Sequence, residues 1–204
     1  FDVDFETEAT ERTMHKDQDG NDQFLPYVRD PETLARAWAR PGTPDLEHRL
    51  GGLEKEHQTG NVSYDAENHQ KMVEIRAQKV QNVTQDIPPT QVYGHSDGDL
   101  LVLGWGSTKG AIEEATERAV DRGRRVGSVV LRHVWPLPAD LADVLGRFDH
   151  VLVPELNNGQ LIRVLRDQYP NRDFTPLNKI QGRPFRAEEI VEKIGSLLGR
   201  PAPA

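Results

Sequence analysis

The chain has 204 residues, enough for one full domain plus a remainder and for burying a real core. It contains no Cys, which excludes disulfides, thiolate zinc sites, iron–sulfur ligation and a Cys nucleophile within it. The net charge of −8 comes wholly from residues 1–90, which hold 18 acidic and 10 basic side chains against 15 of each in residues 91–204. Such acidity repels phosphate backbones and argues against nucleic acid as a partner. No apolar run approaches the roughly 18–20 residues of a membrane span, and no signal pattern opens the chain, so a cytoplasmic location is expected. The first residue is Phe1 rather than Met, and the expectation is a piece of a longer polypeptide.

Residues 1–90 read as an acidic, largely irregular connecting segment. Residues 1–33 are polar, with a turn at Asp17, Asp19, Gly20, Asn21 and Asp22. Asp30-Pro31-Glu32 has the pattern of a helix start, which predicts a short helix near 31–40 that stops before Pro41. Residues 41–65 carry many Gly, Pro, Thr and Asn, without helical or strand period. Asp65 can cap a helix near 66–80, where Met72, Val73, Arg76 and Val80 recur at helical spacing. Ile87-Pro88-Pro89 closes the region as a linker.

From residue 91 to 200, strands and helices alternate. Asp99 to Gly104, Val126 to Val134 and His150 to Glu155 are apolar enough to be strands covered on both faces, and Phe174 to Ile180 is a candidate fourth. Helices are expected from Ser107 as a cap to about Gly123, from Ala139 to Phe148, from Gly159 to Tyr169 and from Ala187 to Leu198. Short loops between them mean βαβ units. The fold class is α/β: a mostly parallel open sheet with helices on both faces, preceded by the irregular segment. Residues 201–204 are a tail.

Three strings carry candidate chemistry. Gly104-Trp105-Gly106-Ser107-Thr108-Lys109-Gly110 follows a strand and opens a helix, the context of a phosphate cradle, but it has neither the P-loop order nor the Rossmann spacing. The alternative is a tight turn capped by Ser107. The acidic run from Asp17 to Asp22 places Pro26 where a calcium loop needs its bidentate Glu, so it reads as a turn. Glu155-Leu156-Asn157-Asn158-Gly159 lies at the carboxyl end of a parallel strand, where open α/β sheets place ligands. Glu155, exposed beside the amides of Asn157 and Asn158, is a candidate contact for a partner domain; either Asn can instead cap the next helix. No His pair has helical zinc spacing, and no Ser stands in a G-x-S-x-G elbow.

The strings Gly104-Trp105-Gly106-Ser107, Glu155-Leu156-Asn157-Asn158-Gly159-Gln160-Leu161 and Asn178-Lys179-Ile180-Gln181-Gly182-Arg183-Pro184-Phe185 occur in this order. Ahead of them stand Gly51-Gly52-Leu53-Glu54-Lys55-Glu56-His57-Gln58-Thr59-Gly60-Asn61, Ser63-Tyr64-Asp65 and Glu67-Asn68-His69. Together they resemble the C-terminal portion of the alpha subunit of 2-oxoglutarate:ferredoxin oxidoreductases, of the longer actinobacterial type. The resemblance implies a transketolase C-terminal-like domain plus the segment leading into it, in an enzyme that forms an acyl-CoA from a 2-oxo acid and reduces ferredoxin. It implies a beta subunit and the remainder of the alpha subunit as partners, with ferredoxin met indirectly. Thiamine diphosphate, magnesium, a 4Fe-4S cluster and CoA are expected in the complex and none on this chain alone, which is expected to be inactive by itself.

On this resemblance the loop from Leu46 to Tyr64 is a candidate lid or channel wall. Arg49, Glu54 and His57 are its substrate- or CoA-channel candidates, and Glu155, Asn157 and Asn158 are interface candidates. Two other readings remain open on the residues alone: an independent nucleotide-binding protein using the Gly104–Gly110 turn, and an acidic adaptor that docks residues 1–65 on a basic partner.

Overall fold

The computed structural model describes residues 15–16, 19–39 and 42–199. Asp17, Gln18, Arg40 and Pro41, and the expected tail 201–204, lie outside them. The chain divides into two compact units, with the boundary between Val83 and Thr84.

In the first unit, strands β1 (His15–Lys16) and β2 (Asp22–Gln23) pair antiparallel. No helix forms over residues 31–39. Asp30 does accept the N–H groups of Glu32 and Thr33, as a helix cap would. Leu34 then turns left-handed, with φ 57°, and the chain folds back through Asp30 N–H to Ala35 O. Arg29 and Arg36 thereby pair across an antiparallel bridge. The one helix of this unit among the described residues is α1 (Ala66–Asn82), capped by Asp65 accepting from Asn68 N–H.

The loop ahead of α1 is more ordered than its composition suggests. Lys55 and Val62 form a bridge, and Glu56 N–H donates to Asn61 O at 2.7 Å. Gly60 turns the loop with φ 72°; a Cβ there would meet Pro26 and Tyr27 at under 3 Å. The amide of Asn68 on α1 ties the loop down, accepting from His57 N–H and donating to Lys55 O.

The second unit is a five-stranded sheet with neighbours in the order β3-β5-β4-β6-β7. These strands are β3 (Tyr93–Gly94), β4 (Gly98–Trp105), β5 (Val126–Leu131), β6 (Phe148–Glu155) and β7 (Thr175–Asn178). All pairs are parallel except the β3–β5 pair, which is antiparallel. Pro176 of the outer strand β7 stands opposite Val153. Helices α2 (Lys109–Val120) and α5 (Ala187–Leu198) cover one face through Ile112, Ala115, Ile190 and Ile194. Helices α3 (Leu141–Leu145) and α4 (Gln160–Gln168) cover the other through Leu141, Val144, Leu161 and Leu165. The apolar runs of β4 and β6 are therefore buried from both sides, as their sequence requires.

Two further expectations are corrected here, and one strand is added. Ser107 is not a helix cap: Gly106–Thr108 form a 3-10 turn, and the hydroxyl of Thr108 donates to Trp105 O instead. The helix expected from Ala139 to Phe148 is confined to Leu141–Leu145, because β6 already begins at Phe148. The antiparallel edge strand β3 was not foreseen.

Candidate functional site

The sheet order creates a switch point. The chain leaves β4 toward one side of the sheet and leaves β6 toward the other, so a crevice opens between their carboxyl ends. A cleft of about 250 Å³ lies there, lined by Ser107, Leu156, Lys179 and Arg183, while the end of β6 itself turns inward. Glu155 is not exposed; it is 1% accessible, and its carboxylate accepts from Leu161 N–H at 2.8 Å and Ile162 N–H at 3.0 Å. It lies where an incoming anion would sit, at the positive end of α4. Asn157 accepts from Gln160 N–H at 2.8 Å and completes the cap. Asn158 is exposed, and its carbonyl accepts from Arg163. Of the three interface candidates, Glu155 is withdrawn from any surface because the helix needs its charge.

The Gly104–Gly110 turn is tight at its first residue, whereas a Cβ on Gly106 or Gly110 would meet nothing within 4 Å. A Cβ on Gly104 would stand 2.2 Å from Ile112 Cδ1 and 2.8 Å from Thr108 Oγ1. That glycine admits the helix close to the strand rather than a nucleotide. The nucleotide reading finds no geometry here.

The first unit holds a cleft of about 660 Å³. The loop at Leu53–Lys55, the bridge at Arg29 and Arg36, and one face of α1 line it. On α1, His69, Met72, Arg76 and Lys79 recur three and four residues apart, which puts them on that face. Glu54 belongs to it and is held by two partners. Arg76 reaches both its oxygens at 3.3 and 3.4 Å, and His69 Nδ1 lies 2.8 Å from Oε2. The Arg76 hydrogen bond, with that of His69 behind it, lowers the Glu54 pKa to about 2. For Glu56, burial pulls the pKa upward, but N–H donors from Thr59 and Gln58 outweigh it and leave the value at about 2.

The channel candidates are thus separated. Glu54 lines the cleft. His57 pairs with the Glu56 carboxylate, and its carbonyl accepts from Arg29. Arg49 is exposed and outside the cleft lining. The sequence assigns no role to Arg29 or Arg36, and Asn68 stands there only as part of a family-like string; the two arginines bracket the Asp30–Ala35 turn, which is the signal that could have found them. Among the described residues, no three His, Asp or Glu converge as metal ligands, and no helix is long and apolar enough to cross a membrane.

Residues 98–190 match the pyruvate:ferredoxin oxidoreductase core domain II family. The 2-oxoglutarate oxidoreductase subunit KorA of Mycobacterium tuberculosis is 46% identical over 179 residues, 87% of this chain and 27% of that protein. The 2-oxoglutarate:ferredoxin oxidoreductase from Magnetococcus marinus, solved with 2-oxoglutarate, coenzyme A and succinyl-CoA bound, superposes with a TM-score of 0.76 at 30% identity. The chain belongs to the 2-oxoacid:ferredoxin oxidoreductase alpha-subunit family. Another of its members, the alpha subunit of Saccharolobus solfataricus, is 28% identical over 72% of this chain and 25% of its own length. The Magnetococcus match covers 90% of this chain and 32% of that one, so the chain spans about a quarter to a third of the alpha-subunit relatives it matches. The alpha-subunit family agrees with the resemblance drawn from the loop and strand-end strings and with the α/β fold.

Proposed function

We propose that this chain is a non-catalytic part of the alpha subunit of a thiamine-dependent 2-oxoglutarate:ferredoxin oxidoreductase. That enzyme would convert 2-oxoglutarate, CoA and oxidised ferredoxin to succinyl-CoA, CO2 and reduced ferredoxin. The observation that carries the reading is the 46% identity to the KorA subunit over 87% of the chain. The buried Glu155 supports a structural role at the end of β6, where it caps α4 rather than facing a ligand.

The 4Fe-4S cluster does not fit this chain, which offers no thiolate for it. Thiamine diphosphate, magnesium, the cluster and CoA would be bound by the beta subunit and the rest of the alpha subunit, its partners in the cytoplasm. In this reading residues 1–90 connect and residues 91–200 build the subunit interface. Asn157 and Asn158 are its candidate contacts at the strand ends. Arg49, Glu54 and His57 remain the candidates for the wall of a substrate or CoA channel, Arg49 because a planar guanidinium suits carboxylate and phosphate alike.

Co-expression with the beta subunit and the remainder of the alpha subunit tests the reading. The expected result is stoichiometric copurification and CoA-dependent oxidation of 2-oxoglutarate only when all parts are present. A chain that leaves both partners behind, with activity unchanged by its omission, overturns it. In that complex Arg49→Ala should lower turnover or CoA use while the melting temperature stays nearly constant; unchanged kinetics for both substrates would remove Arg49 from the channel.

A further inference from the structure

The first unit is the acidic part of the chain, yet its cleft is lined by cations. Arg29, Arg36, Lys55, Arg76 and Lys79 face it against one carboxylate, Glu54. That carboxylate is already engaged by Arg76 and His69. Among the described residues, no carboxylate lies within ion-pair reach of Arg29, Arg36, Lys55 or Lys79. Lys55 is 3% exposed, and among the described residues its ammonium donates to the carbonyls of Gly51 and Leu53. A buried ammonium satisfied by neutral acceptors keeps its full positive field.

The two arginines are held together against their mutual repulsion. They stand opposite each other on the antiparallel bridge, where like charges are destabilising. Both lie over the Tyr27 ring, with guanidinium carbons 5.7 Å and 4.3 Å from its centre. Arg29 is fixed by the carbonyls of Tyr27 and His57 and by the sulfur of Met72, which take three of its five N–H donors and leave two free. Burial, followed by the charge of Arg36, pushes the Arg29 pKa down. The turn that enforces the pairing is itself costly, with Leu34 at φ 57° and Asp30 locked by Thr33 and Glu32. Paired cations over an aromatic ring, on a rigid turn, at the mouth of a cleft sized for a small molecule, form a prearranged anion receptor.

We propose that this cleft binds a phosphorylated small molecule carrying at least two negative charges, with Arg36 and Arg29 clasping the phosphate oxygens and Lys79 closing the α1 side. Two arginines and a lysine present more donors than the two oxygens of one carboxylate can use, which suits an oxyanion with several acceptors. The site is independent of the oxidoreductase reading, since it rests on the first unit alone and its test reads binding rather than turnover or subunit capture.

The test is calorimetric titration of the full chain with inorganic pyrophosphate at fixed ionic strength, with orthophosphate and adenosine diphosphate as parallel arms. One saturable site is expected for pyrophosphate, with orthophosphate weaker. Equal affinity for adenosine diphosphate would mean that the bare diphosphate is read, and tighter affinity that a nucleotide carries it. Arg36→Gln, at an exposed position, should weaken pyrophosphate at least tenfold, Arg36→Lys less, and Arg122→Gln on the second unit not at all. Arg29→Gln should weaken it as well, but Arg36 decides, because Arg29 also holds loop carbonyls. Absence of saturation by pyrophosphate and adenosine diphosphate, or equal binding by Arg36→Gln, overturns the proposal and leaves the cleft to an acidic surface of a neighbouring polypeptide.

Discussion

In the second unit, β4, β5 and β6 are sealed between two apolar layers, and the side chains of Leu100, Leu101, Leu103 and Leu152 reach no solvent. In the first unit, Leu46 and Met72 are the buried aliphatic side chains among the described residues besides Pro26. Its loops hang instead on polar fixtures: Asp30 in the 29–36 turn, Glu56 in the 54–63 loop, and Asn68 reaching across from α1. A fully buried leucine contributes about 2–3 kcal/mol and a net hydrogen bond about 1 kcal/mol. The sheet is therefore secured by many interchangeable contacts and the loop unit by a few specific ones. Sequence change is tolerated in the first only away from those few residues, whereas the second tolerates any swap that keeps volume.

The contrast can be broken most forcefully in the sheet. Leu152→Asp puts an unpaired carboxylate into the central layer and should cost about 4 kcal/mol or more in urea unfolding of the second unit. A loss below about 1 kcal/mol would refute the two-sided burial of β6. Next in size is Glu155→Ala, which strands two buried N–H groups and removes the anion from the start of α4. It should cost about 2–3 kcal/mol, and Glu155→Gln, which retains one acceptor, about half as much.

Acid should separate the units in the opposite order. Glu54 and Glu56 have folded pKa values of about 2 against an ordinary value of 4.5. Their contribution is complete above pH 4.5 and drains away as the pH falls through about 2. Amide exchange near pH 2.5 should accelerate in residues 54–63 before it does in β4 and β6. Simultaneous loss in both would mean that the carboxylates do not hold the loop. The smallest effect lies in the sheet: Ser128 buries a hydroxyl with no hydrogen-bond partner among the described residues, so Ser128→Ala should stabilise by up to about 1 kcal/mol.

What could be read in advance follows the range of the interactions. Runs such as Leu100-Leu101-Val102-Leu103 announce a buried strand because burial on both faces needs no partner to be specified. The limits of these strands shifted by a few residues, since the sequence does not say where pairing stops. The helix expected near 31–40 failed although its cap was read correctly: Asp30 accepts the same N–H groups in a reversing turn as in a helix start, and Leu34 decides between them. Glu155 looked like a surface carboxylate because its partners, the N–H groups of Leu161 and Ile162, become donors only once α4 forms and folds back. The cationic cleft was illegible for a similar reason: Arg29 and Arg76 lie far apart in sequence, and only the fold brings them to one wall.

The borders of the sheet have a consequence of their own. On one side the terminal strand is two residues long, and on the other Pro176 withholds an amide donor from a strand of four. Neither border can template a further strand over any useful length, so the sheet cannot grow by accretion from a neighbouring chain. Attachment to other polypeptides must then pass through side chains on the helices and strand ends. Such joints come apart and re-form without unzipping a ladder, and the domain itself carries little risk of edge-to-edge aggregation.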